Sequence, residues 1–215
     1  MEKGKTRRIL RYIVVLLACV MFCQSAAPCT PMVLTAQAAS VKKGLKKEKG
    51  SYYYYVNGKQ VKKTWKTIKG QKYYFGKNGK AYAAPDRSSQ GYKKNIVVKK
   101  IGKYSYGFDS KGCMVKSGYY NNPDKFDSKG NTMTYYFDKK GRYQAKQSKK
   151  IQKAGDYRAD AKKLRAILGK PRKTKKLNSC FEEEGDDYRL VYSTVSVTIH
   201  RYPDGREIVF GIFPV

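Results

Sequence analysis

Few residues in this chain are equipped for catalysis, and many for recognition. There is one histidine, His200, on a β-prone stretch with Val197 and Ile199. A nucleophilic site needs a base and an orienting group within hydrogen-bond reach of each other, and the sequence places neither. Asp109, Asp127 and Asp138 lie beside aromatics, as a glycoside-cleaving pair would. Each stands at the same place before a repeat's glycine, however, where turn formation accounts for it. The Asp-Ser-Lys-Gly strings at Asp109 and Asp127 lack the alternating oxygen ligands and closing acid of a calcium loop. Thiols and imidazoles are too few for a structural zinc site, and there is no phosphate-binding glycine loop. The expectation is a binding protein that is not an enzyme, with no cofactor and no metal. Recognition chemistry is abundant instead: 20 Tyr, 8 Phe and the single Trp65 offer ring faces that attract cations and give sugar rings an apolar platform.

The elements that position these rings are repeats. Fifteen of the tyrosines lie between Tyr52 and Tyr143, inside one phrase: glycine, aromatic cluster, polar spacer, glycine. It reads Gly50-SYYYYVN-Gly58, Gly70-QKYYFGKN-Gly79, Gly102-KYSYGFDSK-Gly112 and TMTYYFDKK-Gly141. Tyr and Phe favour strands, and Asn57-Gly58 and Asn78-Gly79 supply the positive φ of a tight hairpin turn. Lys111-Gly112 and Lys140-Gly141 would serve in the same way. A lone hairpin buries too little to be stable, so successive hairpins must share their aromatic faces. The predicted fold is therefore mainly β: a β-hairpin repeat solenoid over 50–149, preceded by a basic linker at 39–49. Ala83–Gln90 and Asn121–Lys129 are expected as surface loops, and the inner tyrosine of each pair, Tyr74 in the second copy, as core.

The string from Gly50 to Lys80, with its T-W-x-x-I-x-G-x-K-Y-Y-F-x-x-x-G core from Thr64 to Gly79, resembles the cell-wall-binding repeats of choline-binding proteins, glucan-binding proteins and clostridial toxin tails. The resemblance spans about 49–147. It implies ligands held in grooves between neighbouring hairpins, and hence binding roles for Tyr53, Tyr54, Trp65, Tyr73, Tyr74, Phe75, Tyr104, Tyr106, Tyr135, Tyr136 and Phe137. A choline cage in that family uses two tryptophans and a tyrosine per site. With Trp65 alone, a carbohydrate or wall polymer, such as teichoic acid or another glycan, is the better match.

From Gly155 the composition changes. Tyr157, Ala161, Leu164 and Leu168 fall on one face of a helix with Asp156 as its cap; Gly169 ends the helix and Pro171 prevents its restart. Tyr188–Tyr192, Thr194–Tyr202 and Arg206–Phe213 read as strands, the last two joined by a Pro203-Asp204-Gly205 turn. The expectation over 155–215 is a small α+β domain, one helix on a three-stranded antiparallel sheet. Its L-G-x-P helix end at Leu168–Pro171, the following Cys180 and the later strands resemble the small domain of β-lactamase-inhibitory proteins and of an outer-membrane assembly lipoprotein, which implies a protein partner. The acidic run Glu182–Asp187 reads as a solvated loop, a binding patch, or a partner for the basic repeats.

The N-terminus reads as an export signal. Lys3, Lys5, Arg7, Arg8 and Arg11 precede an apolar run from Tyr12 to Cys23, too short to span a membrane. Ala36-Gln37-Ala38-Ala39 then offers a cleavage site between Ala38 and Ala39, leaving 1–38 as signal peptide; a lipoprotein cut before Cys19 is the alternative. Of the cysteines remaining after the Ala38 cut, Cys113 and Cys180 are a candidate disulfide or two buried thiols. Charge is uneven: residues 39–155 hold 30 Lys/Arg against 6 Asp/Glu, and 156–215 hold 12 against 9. Such a surface attracts polyanions, with no signature of specific nucleic-acid binding and no membrane span in the mature chain. The sequence points to a secreted, wall- or surface-associated protein that attaches through its repeats and presents a C-terminal protein-binding domain. The alternative is a secreted inhibitor for which the repeats are a spacer.

Overall fold

The computed structural model describes residues 41–178 and 182–215. The expected signal peptide and its cut at Ala38–Ala39, the alternative lipidation at Cys19, and Cys180 lie outside the described residues. The described chain is mainly β. It forms β1 (Gly44–Glu48), β2 (Ser51–Val56), β3 (Lys59–Gln60), β4 (Thr64–Ile68), β5 (Gln71–Phe75), β6 (Val97–Ile101), β7 (Tyr104–Phe108), β8 (Gly118–Phe126) and β9 (Thr132–Phe137). Then come α1 (Ala145–Ala154), α2 (Ala161–Leu168), β10 (Lys173–Lys176), β11 (Asp186–Val191), β12 (Val195–Arg201) and β13 (Glu207–Pro214).

The first nine strands make four antiparallel hairpin sheets, β1-β2-β3, β4-β5, β6-β7 and β8-β9. The aromatic clusters occupy the second strand of each main hairpin. Only Asn57-Gly58 makes an expected hairpin turn, between β2 and β3. The turns that fold β1 on β2 and β4 on β5 are Lys49-Gly50 and Lys69-Gly70, upstream of the aromatics, with φ of 47° and 76° in the first and 49° and 77° in the second. Positive φ at both central residues gives the twist that matches paired strands. Gly44–Glu48, expected as linker, is thus a strand, because the turn at Lys49-Gly50 folds it onto Tyr52–Tyr55.

Asn78-Gly79 instead closes a loop after β5, with Gly79 N donating to Gly76 O at 3.0 Å. The three aspartates are turn residues, as read from the sequence. Asp109 Oδ1 accepts from the backbone N–H groups of Lys111 and Cys113, Asp127 Oδ1 from Lys129 and Asn131, and Asp138 Oδ1 from Lys140 and Arg142. After each of three strands the chain returns to bridge the terminal phenylalanine six residues on: Phe75 to Ala81, Phe108 to Met114 and Phe137 to Tyr143.

Asn121–Lys129 is no surface loop over most of its length. Asn121 and Asn122 are buried within β8, and Asn121 Nδ2 donates to Thr134 Oγ1 at 3.0 Å and to Ile212 O at 3.0 Å. A buried amide of this kind persists only because its donors are satisfied.

The C-terminal sheet has four strands in the order β10-β11-β12-β13, one more than expected, and two helices. Val195, Val197 and Ile199 of β12 join Leu190, Val209, Ile212, Ala161 and Leu164 in one core, to which Ile151 and Ala154 of α1 also belong. The helix expected over 157–168 begins at Ala161, capped by Asp160, whose side chain accepts from Lys162 N at 2.9 Å. Arg158 sits at φ 63°, which an α-helix cannot include. Tyr157, expected on the helix's inner face, is 55% exposed and packs edge-on to Phe210 at 5.4 Å.

Candidate ligand-binding site

The register shows how the rings meet. Trp65 lies opposite Tyr74, Val98 opposite Gly107 and Tyr119 opposite Tyr136, each one position inside the terminal Phe75, Phe108 or Phe137. Because side chains alternate across a strand, this pair looks to one side of its hairpin, while the terminal Phe and the residue two before it look to the other. The pair of one hairpin therefore packs on the Phe of the next. Tyr54 meets Phe75 at 6.1 Å between ring centroids. Trp65 meets Tyr106 at 4.9 Å and Phe108 at 6.0 Å. Val98 packs beside Phe137 and Tyr135, and Tyr119 packs on the C-terminal core. The C-terminal sheet thus takes the place of a further hairpin.

This placement sorts the candidate binding residues. Phe75 and Phe137 are 0% exposed and Tyr73 is 7% exposed, so these three are core and unavailable to a ligand. Tyr74, expected as core, lies on the opposite face, half-buried against Trp65 at 5.2 Å. Tyr73 is the inner ring: burial pushes its phenol well above its usual range, and it accepts from the Cys113 thiol, 3.1 Å away. Burial also raises the Cys113 thiol. The candidate bond from Cys113 to Cys180 lies outside the described residues.

Tyr53, Tyr54, Tyr106, Tyr135 and Tyr136 are half-buried and Tyr104 is exposed. Trp65, Tyr74 and Tyr106 come together; Tyr53, Tyr104, Tyr135 and Tyr136 belong to other junctions. The richest cluster includes two rings that sequence reasoning left out. Tyr82 lies 5.4 Å from Tyr74 and 5.8 Å from Phe108, a fully buried ring that backs the cluster. The return bridge from Phe75 to Ala81 brings Tyr82 back against the hairpin.

Two properties limit what this cluster can hold. Trp65 stands edge-to-face to both Tyr74 and Tyr106, with interplanar angles of 65° and 71°. Rings that close leave no slot for a cation, which needs several ångström to each face. Many ring faces also carry the chain's own cations: Lys99 Nζ is 5.9 Å from Tyr82, Lys66 Nζ 5.9 Å from Tyr54, Lys47 Nζ 5.6 Å from Tyr52, and the Arg142 guanidinium 4.7 Å from Tyr104. What remains accessible is an apolar ring surface edged by ammonium groups.

His200 is fully buried, its Nδ1 2.7 Å from Asp187 Oδ1 and its Nε2 2.7 Å from Glu184 O. Both ring nitrogens are occupied in holding the acidic segment to β12. Other acids of that segment pair locally, Glu182 with Arg158 and Asp186 with Lys176. Among the described residues no cluster of ligating side chains could hold a metal ion, and no helix is long and apolar enough to cross a membrane.

No family model matches the chain, and no curated protein matches it. Among solved structures it is similar to truncated alternansucrase from Leuconostoc mesenteroides, at 19% identity over 77% of this chain and 10% of that one, with a TM-score of 0.34. Choline binding protein F from Streptococcus pneumoniae is similar at 14% identity over 78% of this chain and 42% of its own, TM-score 0.32. The modular Cpl-1 endolysin complexed with a peptidoglycan analogue is similar at 14% identity over 77% and 36%, TM-score 0.34. The chain spans well under half the length of these proteins. TM-scores of this size record a similarity and no more.

Proposed function

We propose that the chain is an exported, non-catalytic protein that attaches to a cell-wall glycan or anionic wall polymer through its hairpin repeats. The observation that carries this reading is the Trp65, Tyr74, Tyr82 and Tyr106 cluster, half-buried over the Phe108 ring and edged by lysine. A closed edge-to-face cluster suits stacking of a sugar ring on its outer surface better than enclosure of a quaternary ammonium. The excess of basic residues over acidic ones in 39–155 suits a polymer bearing phosphates, by long-range attraction that salt weakens.

Purified cell walls test both parts. Residues 39–215 are expected to pellet with walls, and raising salt from about 0.05 to 0.5 M, which shortens the screening length several-fold, is expected to release most of them. Trp65→Ala should lower the bound fraction about tenfold, as loss of one stacking ring of about 1.4 kcal/mol would. Wild-type binding that survives Trp65→Ala unchanged sinks the role of the cluster, and a saturable response of Trp65 fluorescence to millimolar choline sinks the preference for carbohydrate.

A further inference from the structure

The lysines of the two helices are arranged differently from those of the repeats. On α1, Lys146, Lys149, Lys150 and Lys153 fall at spacings of 3, 1 and 3, one stripe of the helix, opposite the buried Ser148, Ile151 and Ala154. On α2, Lys162 and Lys163 are exposed beside Ala166. Neither helix contains an acid, and no ion pair engages these six ammonium groups among the described residues. Arg165, the arginine of α2, is taken up by Glu207 at 2.6 Å.

Between the helices lies a cleft of about 590 Å³ lined by Lys150, Lys153 and Lys163 over Ala154, Ala166 and Ile167. Asp160 is the only acid at its edge, and it is spent on capping α2. The cleft is therefore an apolar floor inside a ring of free ammonium groups.

We propose that this α1–α2 face docks on an anionic lipid surface, with the lysines on lipid phosphates and the cleft floor receiving part of one acyl chain. The composition favours lipid over protein, because protein interfaces are depleted in lysine and enriched in arginine and aromatics. Lysine is instead a point-charge partner for phosphate, and its long stem lets the ammonium reach headgroups while the helix stays lower. A soluble phosphate polymer would match the charges but leave the apolar floor unused. The face is separate from the aromatic cluster, so the wall-binding reading and this one fail independently.

The test uses residues 39–215, which contain the whole compact unit from Val41 to Val215 and leave out the apolar run of residues 12–23. Co-sedimentation is measured with phosphatidylcholine vesicles with and without phosphatidylglycerol. Binding is expected only with phosphatidylglycerol, and the triple variant K150E/K153E/K163E should weaken it at least about a hundredfold, given what each basic residue near an anionic surface contributes. A control of equal charge change in the repeats, K62E/K69E/K77E, should lose only a few-fold, and Ala166→Asn, which puts a polar group in the floor without changing the charge, should weaken binding through the floor alone. Thermal melts of all variants should match wild type, since every substituted residue is exposed. Equal losses in the two triple variants would overturn the proposal in favour of general charge attraction. Full release by soluble polyglycerol phosphate at matched ionic strength, or an unchanged Ala166→Asn, would overturn the lipid in favour of a phosphate polymer.

Discussion

The second and third hairpin junctions are built to one plan and filled differently. In both, a buried phenylalanine at the end of the later hairpin, Phe108 or Phe137, packs against a cross-strand pair of the earlier one. At the second junction that pair is Trp65 and Tyr74, and the rings crowd outward into an aromatic surface. At the third it is Val98 and Gly107, and Phe137 sinks so far that a Cβ added at Gly107 would lie 2.7 Å from Phe137 Cζ and 2.7 Å from Val115 Cγ2. The difference shows that stacking one hairpin on the next does not require the facing pair to be aromatic. On the proposed reading, the aromatic pair of the second junction is what recognition uses.

The comparison breaks most severely at the phenylalanine. Phe108→Ala should cost about 3–5 kcal/mol, the usual penalty for emptying a buried aromatic site. Trp65→Ala on the same junction should cost only about 1–2 kcal/mol, from two edge-to-face pairs on a half-buried ring. Chemical denaturation of the two variants measures the gap; equal losses would mean that Trp65 is also core. Gly107→Ala should cost about 1–3 kcal/mol by overpacking, and a neutral result would show the third junction to be looser than its distances.

The smallest effect is one of pH. Burial raises the Tyr135 phenol at the third junction above its ordinary value of 10. A group whose folded value is raised contributes stability that is fully present below the unfolded value and is lost as pH rises through the folded one. Melting temperature should therefore decline above about pH 10, and Tyr135→Phe should remove part of that decline. An identical alkaline limb in the variant would assign it to other tyrosines.

Much of the repeat plan was legible: the aromatic phrases, the aspartate turns and the strand character. Which ring faces inward was not. In a run such as Tyr52–Tyr55, four identical residues hide the alternation that marks the two faces of a strand, and in Tyr73-Tyr74-Phe75 the parity is settled only by the turn at Lys69-Gly70. Strand β1 was hidden for a related reason, since Lys46 and Lys47 read as solvated charge until the turn at Lys49-Gly50 pairs them with Tyr53 and Tyr52. Helix α1 offers Ile151 as its only large apolar residue. It is held instead by polar contacts: Ser148 Oγ accepts from Tyr136 N at 2.8 Å, and Gln152 Oε1 from Thr134 N at 2.9 Å. Hydrophobic periodicity cannot report such contacts.

The covered Tyr119 side of the last hairpin bears on self-association. An array whose every junction joins one kind of face to another kind is a head-to-tail contact repeated within one chain, and the same contact made between chains would propagate without limit into a filament. Here one of the two end faces is closed: Tyr119 packs into the C-terminal core, and Thr132 Oγ1 and Asn121 Nδ2 both donate to Ile212 O, at 2.7 and 3.0 Å. A chain with one complementary end covered offers no open hairpin face on that side for a further member to join.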